Sequence, residues 1–262
     1  AELYLRKAIE LKPDFVDAHL NLGNILQGLG KFKEAAISTH KAIELKPDFV
    51  IAYLNLGNIF KNLGQLEKAE LYLRKAIELK PDFVDAYLNL GNILQSLSDY
   101  KEAELCIRKT IELKPDYAEA YLNLGNILKN LGKLEDAKLS YYKAIELKPD
   151  LTSANCSIST LQYSNEDKIW RDQLFSDEIL NKQSKKGQVD IYFSRANILH
   201  KEKKYDDSAK FLQLANNLKF DLNPFNYENF LKKSRTLLLE TDKKILKKIE
   251  ILIQMINKLK SN

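Results

Sequence analysis

One stretch of nine residues constrains the fold of this chain more than any other feature. It reads Ala-Tyr-Leu-Asn-Leu-Gly-Asn-Ile-Leu at 86–94, and close copies lie at 18–26, 52–60 and 120–128. Prolines recur in the same register, at Pro13, Pro47, Pro81, Pro115 and Pro149. An interval of about 34 residues is typical of a helix-turn-helix unit that stacks on copies of itself. The sequence therefore predicts that each unit before residue 152 buries its core against its neighbours.

Each copy carries the signals of two helices joined by tight turns. In the last copy the Lys-Pro-Asp sequence at 114–116 ends one helix, because proline cannot continue it. Asp116 is then the expected N-cap of the next helix. Apolar residues at helical spacing predict a first helix over 117–130 and a second over 134–147. Pairs of small residues let the two helices of a unit pack closely, and we expect a bulky residue at such a glycine to destabilise the fold by about 1–3 kcal/mol. These pairs are Gly23 with Ala35, Gly57 with Ala69, Gly91 with Ala103, and Gly125 with Ala137.

This pattern of an aromatic residue, Leu-Gly, a distant alanine and a closing proline resembles the tetratricopeptide repeat. The most complete copy contains Tyr53, Leu56, Gly57, Phe60, Ala69, Leu73, Ala76 and Pro81. Three departures, His19 for the aromatic residue, Ser98 for the turn glycine and Thr110 for an alanine, weaken single repeats only. The resemblance implies an all-α, right-handed superhelical solenoid. Its predicted units are a half repeat at 1–15 and full repeats at 16–49, 50–83, 84–117 and 118–151.

The resemblance also implies that the first helix of each repeat lines a concave face, where asparagines recur. They lie two residues before and one residue after each packing glycine, at Asn21, Asn24, Asn55, Asn58, Asn89, Asn92, Asn123 and Asn126. Asparagine is a poor helix former, so its repeated presence inside helices calls for a reason. A side-chain amide offers a donor and an acceptor, which match a peptide backbone. These eight residues, called the asparagine ladder below, resemble the ladder in the repeats of O-linked N-acetylglucosamine transferases. In the alternative interpretation, the asparagines are copied with the unit and bond to neighbouring repeats or to water.

We therefore predict a non-catalytic scaffold that binds an extended peptide or protein segment in the concave groove. Lys61 and Lys129 are the further candidate peptide-binding residues. Other groove positions are Gln27 and Gln95, with Asp17, Asp85 and Glu119 at the rim. This mixture favours no charge class of partner.

The repeat pattern fades after residue 151. Residues 152–187 read as an irregular helical connector, with a helix over 167–182 in which Trp170 is a packing residue. Residues 188–221 predict a terminal repeat-like hairpin. That hairpin resembles the segment preceding the catalytic domain of bacterial tetratricopeptide-repeat sulfotransferases. The alternative function is thus the substrate-recruiting arm of a sulfotransferase or glycosyltransferase whose catalytic domain is absent from this chain.

Residues 222–262 predict a C-terminal capping helix. Its apolar seam is Ile245, Ile249, Leu252, Ile256 and Leu259, with lysines on both sides. The alternative interpretation is a basic amphipathic helix on a membrane surface. Solenoids require caps at their ends, which favours the cap.

Composition excludes several other classes of protein. The net charge is only +5, and Lys and Glu alternate along the repeats, so we expect no nucleic-acid partner. There is no apolar run long enough to span a bilayer. Cys106 and Cys156 show no metal or disulfide spacing, so we expect no metal, no cofactor and a cytoplasmic location. The residues form no catalytic motif. The chain starts inside a repeat, so it is expected to be a fragment, and its unpaired ends could support self-association.

Overall fold

The computed structural model describes residues 1–161 and 167–222, and within these ranges the chain is helical with no strand. Helices alternate along the chain as the first and second helices of successive units, which confirms the predicted all-α solenoid. The first half repeat is represented by its second helix, α1 (Glu2–Leu11). Four complete pairs follow: α2 (Val16–Gly28) with α3 (Phe32–Leu45), α4 (Val50–Asn62) with α5 (Leu66–Leu79), α6 (Val84–Ser96) with α7 (Tyr100–Leu113), and α8 (Ala118–Asn130) with α9 (Leu134–Leu147).

The turn that precedes each first helix differs from the prediction in its capping. Helix α8 has Tyr117 as its N-cap residue, and no side chain caps it, so the prediction that Asp116 caps this helix is wrong. The physical reason is a backbone turn, in which the Tyr117 amide donates to the Lys114 carbonyl and the Ala120 amide donates to Tyr117. The Lys114 ammonium lies 4.5 Å from the centre of the Tyr117 ring, a cation–π contact that also tightens the turn.

The glycine of each first helix lies against the second helix of its own unit, as the small-residue pairing predicts. A Cβ atom at Gly57 would lie 2.7 Å from Leu73, and one at Gly91 would lie 2.6 Å from Ile107. At Gly125 the atom would lie 2.4 Å from the ring of Tyr141, which is fully buried. Only a residue without a side chain allows this approach, so the glycines set the distance between the paired helices.

Neighbouring first helices also contact one another, α2 with α4, α4 with α6, and α6 with α8. The second helices instead reach one another through long charged side chains. Arg6 pairs with Glu34 at 2.9 Å, and Arg74 pairs with Glu102 at 2.7 Å. Neighbouring first helices are therefore closer to one another than neighbouring second helices are. The first helices line the concave side of the solenoid, and the second helices lie on its convex side.

The helical pattern continues beyond residue 151 at the same interval of about 34 residues. Helix α10 (Thr152–Thr160) takes the place of a first helix and packs against α9. Helix α11 (Lys168–Phe175) has the sequence position of a second helix, but a later helix, α13, packs against α10 in its place. The further helices are α12 (Asp177–Asn181), α13 (Lys185–Lys201) and α14 (Tyr205–Leu222), and the last two pack as a hairpin. The boundaries 152–187, 188–221 and 222–262 stay predictions. Residues 223–262, with the predicted capping helix, lie outside the described residues.

The prediction of one continuous helix over 167–182 is wrong. The chain breaks at Ser176, whose backbone is extended. Arg195 explains the break, because its guanidinium donates to the carbonyl oxygens of Leu174 and Ser176, both at 2.8 Å. Those carbonyls are therefore bound by a side chain of α13 at the point where α11 ends. Arg195 also lies over the ring of Phe175, so this buried cation is held among carbonyls and an aromatic face.

The candidate peptide groove

The eight asparagines of the ladder lie on the four first helices α2, α4, α6 and α8, two on each helix. Asn21 and Asn24 are exposed, and the other six are half-buried. The apolar residues between them, such as Leu22 and Leu56, are buried and fix the orientation of each helix. The ladder positions therefore lie on the face that neighbouring first helices share, at the surface of the concave side.

The structure also shows that some of these amides bond to one another between repeats. The Asn55 side chain donates from Nδ2 to Oδ1 of Asn24 at 2.7 Å. Two repeats further on, Asn123 donates to Asn92 at 2.8 Å in the same geometry. In each bond the donor asparagine lies two residues before the packing glycine of its own repeat. The acceptor asparagine lies one residue after the packing glycine of the preceding repeat. This is the bonding pattern of the alternative interpretation, in which asparagines connect neighbouring repeats.

These bonds use only part of the hydrogen-bonding capacity of the amides. An asparagine amide has two donor hydrogens and an oxygen with two lone pairs. Asn55 and Asn123 each keep one hydrogen and the oxygen, while Asn24 and Asn92 keep both hydrogens. A bonded pair is thus a fixed rung with donors and an acceptor still available to a ligand.

The last asparagine of the ladder, Asn126, is bonded to the core of its own repeat. The Tyr141 hydroxyl donates to Oδ1 of Asn126 at 2.9 Å. Burial raises the pKa of Tyr141 to about 12, so its hydroxyl stays protonated and able to donate. Since the same ring contacts Gly125, the packing of the helix pair and the orientation of Asn126 depend on one side chain.

The other predicted groove residues differ in their exposure and in whether another side chain already binds them. Lys61 is exposed and Lys129 is half-buried, each in the last turn of its first helix. Glu119 is engaged by Lys148 at 2.8 Å, and this ammonium lowers the pKa of the Glu119 carboxyl. Gln27 is half-buried near the end of α2. The groove therefore offers mainly neutral amides, with lysine side chains at one edge.

Three connections after residue 151 were not predicted from the sequence. Thr152 donates to Asp190 at 2.7 Å, which joins α10 to α13. Lys201 donates to the carbonyl oxygens of Ser159 and Leu161 and so caps the end of α10. Trp170 is buried, as its predicted packing role requires, and it donates to Asn155 at 2.8 Å. Each of these polar contacts occurs once and joins residues far apart in the sequence, so the repeat pattern could not predict them.

The described residues bring no set of candidate metal ligands together. Within them there is no group of three His, Cys, Asp or Glu side chains close enough to hold a metal ion. His19 bonds to the Pro13 carbonyl at 2.9 Å, the same contact that the Tyr53 hydroxyl makes to Pro47. It therefore replaces the aromatic residue of its repeat in both place and bonding. None of the helices in these ranges has the length and hydropathy needed to cross a membrane.

Comparison with known families bears directly on these repeats. Models of the tetratricopeptide repeat match residues 16–49, 50–83, 84–117 and 118–151, which together make up about half of the chain. The chain belongs to the tetratricopeptide repeat family. Membership supports a protein-interaction scaffold. The comparison with curated proteins found no match to this chain. The resemblance of residues 188–220 to sulfotransferase-associated segments stays a prediction.

Solved structures of tetratricopeptide repeat proteins share the fold. YrrB, described as a TPR protein with an unusual peptide-binding site, is 23% identical with a TM-score of 0.57, covering 78% of this chain and all of YrrB. MamA is 25% identical with a TM-score of 0.52, over 70% of this chain and 95% of MamA. PilF of Pseudomonas aeruginosa is 21% identical with a TM-score of 0.62, over 83% of this chain and 97% of PilF. These shares exceed the part that the family models match, so the shared architecture extends past residue 151.

Proposed function

We propose that this tetratricopeptide repeat chain is a scaffold that binds an extended peptide segment of a partner protein along its concave face. The observation that carries the proposal is the fixed rung, a pair of amides from neighbouring repeats that bond to each other and keep further donors. Asn55 with Asn24 and Asn123 with Asn92 are such rungs. The description of YrrB as a peptide-binding member of the same fold supports this use of the architecture.

The rungs suit a ligand that is recognised through its main chain, with few contacts to its side chains. An extended peptide presents an amide hydrogen and a carbonyl oxygen at every residue, and each free Asn hydrogen or oxygen complements one of them. The side chains of such a ligand alternate between its two faces, so half of them would point away from the groove. Neutral amides in the groove add no strong charge preference. The proposed partner class is therefore a flexible segment of low sequence specificity.

The strength of the interaction is limited by the cost of ordering the peptide. One neutral hydrogen bond contributes about 0.5–1.5 kcal/mol, and ordering a flexible segment costs about 2–5 kcal/mol. Four repeats then supply a modest surplus, and binding in this way is weak unless further repeats or tethering add to it. Lys61 and Lys129 at the edge of the groove add a preference for peptides with an acidic residue at that edge.

The test is a triple substitution: Asn55→Ala and Asn123→Ala each remove one residue of a rung, and Asn89→Ala removes the equivalent ladder residue of the repeat between them. Peptides are first selected from an array with the unaltered protein, and their affinities are then measured by titration calorimetry. We expect the triple variant to remain folded and to lose the binding. Its stability should fall by about 0.5–1.5 kcal/mol for each lost inter-repeat bond, since Asn55 and Asn123 each make one.

A matched control makes the same Asn→Ala substitution at positions outside the ladder. Asn216 and Asn217 are exposed on α14, outside the first helices that carry the ladder. The Asn216→Ala, Asn217→Ala variant should bind the selected peptides as the unaltered protein does. Unchanged affinity in the triple variant would refute the ladder as the binding surface. A cytoplasmic location, the absence of nucleic-acid and membrane partners, and self-association stay predictions.

A further inference from the structure

A cleft of about 810 Å³ opens between the second helices α1 and α3, and α2 forms its floor. Ile9 of α1 and Leu22 and Leu26 of α2 give it an apolar lining, and Phe60 of α4 adds an aromatic side chain. The second helices lie on the convex side of the solenoid, so this cleft, called the convex cleft below, is separate from the peptide groove. Its volume lies within the range of about 300–1,000 Å³ that is usual for ligand pockets.

Comparison with the next repeat shows why the convex cleft is open. Three of its lining residues have larger counterparts one repeat later. These pairs are His19 and Tyr53, Leu26 and Phe60, and Ser38 and Tyr72. In the second repeat the Tyr72 ring stacks on Phe60, with ring centres 5.3 Å apart and planes within 4°. The same Tyr72 ring lies 6.4 Å from Tyr53. Three rings thus fill the place that an imidazole, a leucine and a serine leave open in the first repeat.

The surface beside the convex cleft is apolar as well. One exposed aliphatic residue recurs on each second helix at the interval of the repeat, about 34 residues. These residues, called the convex stripe, are Leu3, Ile37, Leu71, Leu105 and Leu139, and between 66% and 76% of each is exposed. Ile37 lines the lip of the cleft, and Leu105 and Leu139 line smaller grooves of about 410 and 340 Å³. A regular row of exposed aliphatic side chains beside an apolar cleft is a candidate interaction surface.

We infer that the convex cleft is a second docking site, which takes an aromatic side chain, the ring of tyrosine or phenylalanine, from a protein partner. The chain itself shows which side chain fits, because its own Tyr72 occupies the equivalent place in the next repeat. A ring in the cleft contacts Ile9, Leu22 and Leu26, and aliphatic residues next to it in the partner lie along the convex stripe. Aromatic rings bury a large area in a fixed geometry, which makes them effective anchors.

The site can be tested with p-cresol, which is the side chain of tyrosine without its backbone. Methyl resonances of Ile9, Leu22 and Leu26 are followed by NMR as p-cresol is added to the full chain. We expect saturable shifts at these methyl groups in the unaltered protein. Ser38→Tyr should fill the cleft with its own ring and weaken p-cresol binding roughly tenfold or more. Ser38→Ala is the matched control, since it removes the same hydroxyl without filling the cleft, and it should bind p-cresol normally.

Two further variants keep the test decisive. Leu26→Phe copies Phe60 and narrows the cleft from its floor, so it should weaken p-cresol binding even if Ser38→Tyr fails to fold. The triple Asn variant of the concave face should bind p-cresol as the unaltered protein does, which separates this site from the peptide groove. The inference is overturned if p-cresol shifts the convex-stripe methyl groups equally, if nothing saturates, or if folded Ser38→Tyr binds it unchanged.

Discussion

Replacing Gly125 by alanine tests whether the packing glycines set the distance between paired helices. The new Cβ would lie 2.4, 2.6 and 2.9 Å from three ring atoms of Tyr141. This ring is fully buried, and its hydroxyl is bonded to Asn126, so it has little room to move. Overpacking of a core lowers the free energy of unfolding by about 1–3 kcal/mol. Alanine has a higher helix propensity than glycine, which raises the free energy of unfolding by about 1 kcal/mol. Because the neighbour is a fixed ring, we expect a net loss of about 1–2 kcal/mol.

The loss is measured by urea unfolding followed by far-ultraviolet circular dichroism. Hydrogen exchange of α8 and α9 should accelerate most, because repeats in a solenoid depend mainly on their nearest neighbours. Gly28→Ala is the matched control, since no atom lies within 4 Å of the Cβ that it would add. That variant should be unchanged or more stable by up to about 1 kcal/mol. If Gly125→Ala is as stable as Gly28→Ala, close helix approach at Gly125 does not determine the packing.

Two further predictions concern a strained turn and a buried thiol. Ser98 has a φ of 65°, where Gly64 at the equivalent turn has 72°, so Ser98→Gly should stabilise the protein by about 1 kcal/mol in urea unfolding; lower stability would contradict this account of the turn. Burial raises the pKa of the Cys106 thiol to about 11, against about 8.5 in the unfolded chain. The unfolded state then releases this proton first, so the contribution of Cys106 to stability is full below about pH 8.5 and is lost as the pH rises towards 11. The Cys106→Ala variant should lack this decline, and an equal decline in both proteins would assign it to other groups.

Periodicity predicted the parts of the fold that every copy shares. The register of Pro13 and its counterparts gave the four complete repeats, and Gly91 with its counterparts gave the contact between paired helices. Such features repeat because every unit must satisfy the same backbone and packing constraints. Asp116 was misassigned for a local reason, since a backbone turn satisfies the start of α8 where a side-chain cap was expected.

Contacts that occur once could not be predicted in this way. The break between α11 and α12 depends on Arg195, which lies about twenty residues further along the chain and takes the carbonyls of Leu174 and Ser176. The bond between Asn55 and Asn24 depends on the distance between neighbouring first helices, which cannot be deduced from the sequence. The sequence therefore identified the ladder positions and left open whether they bond to a peptide or to neighbouring repeats, and the structure shows bonds between neighbouring repeats at two places.

The two faces of the solenoid differ in how much they vary from repeat to repeat, and this difference bears on what each can recognise. On the concave face the ladder presents the same two asparagines in all four complete repeats. On the second helices one position changes from Ser38 to Tyr72, Cys106 and Ser140. A uniform surface complements a uniform ligand, which among proteins is the peptide backbone. A surface that differs at each step can select one side chain at one place, and the convex cleft is such a place. Loss of backbone binding in the Asn variants and loss of p-cresol binding in Ser38→Tyr should therefore be independent of each other.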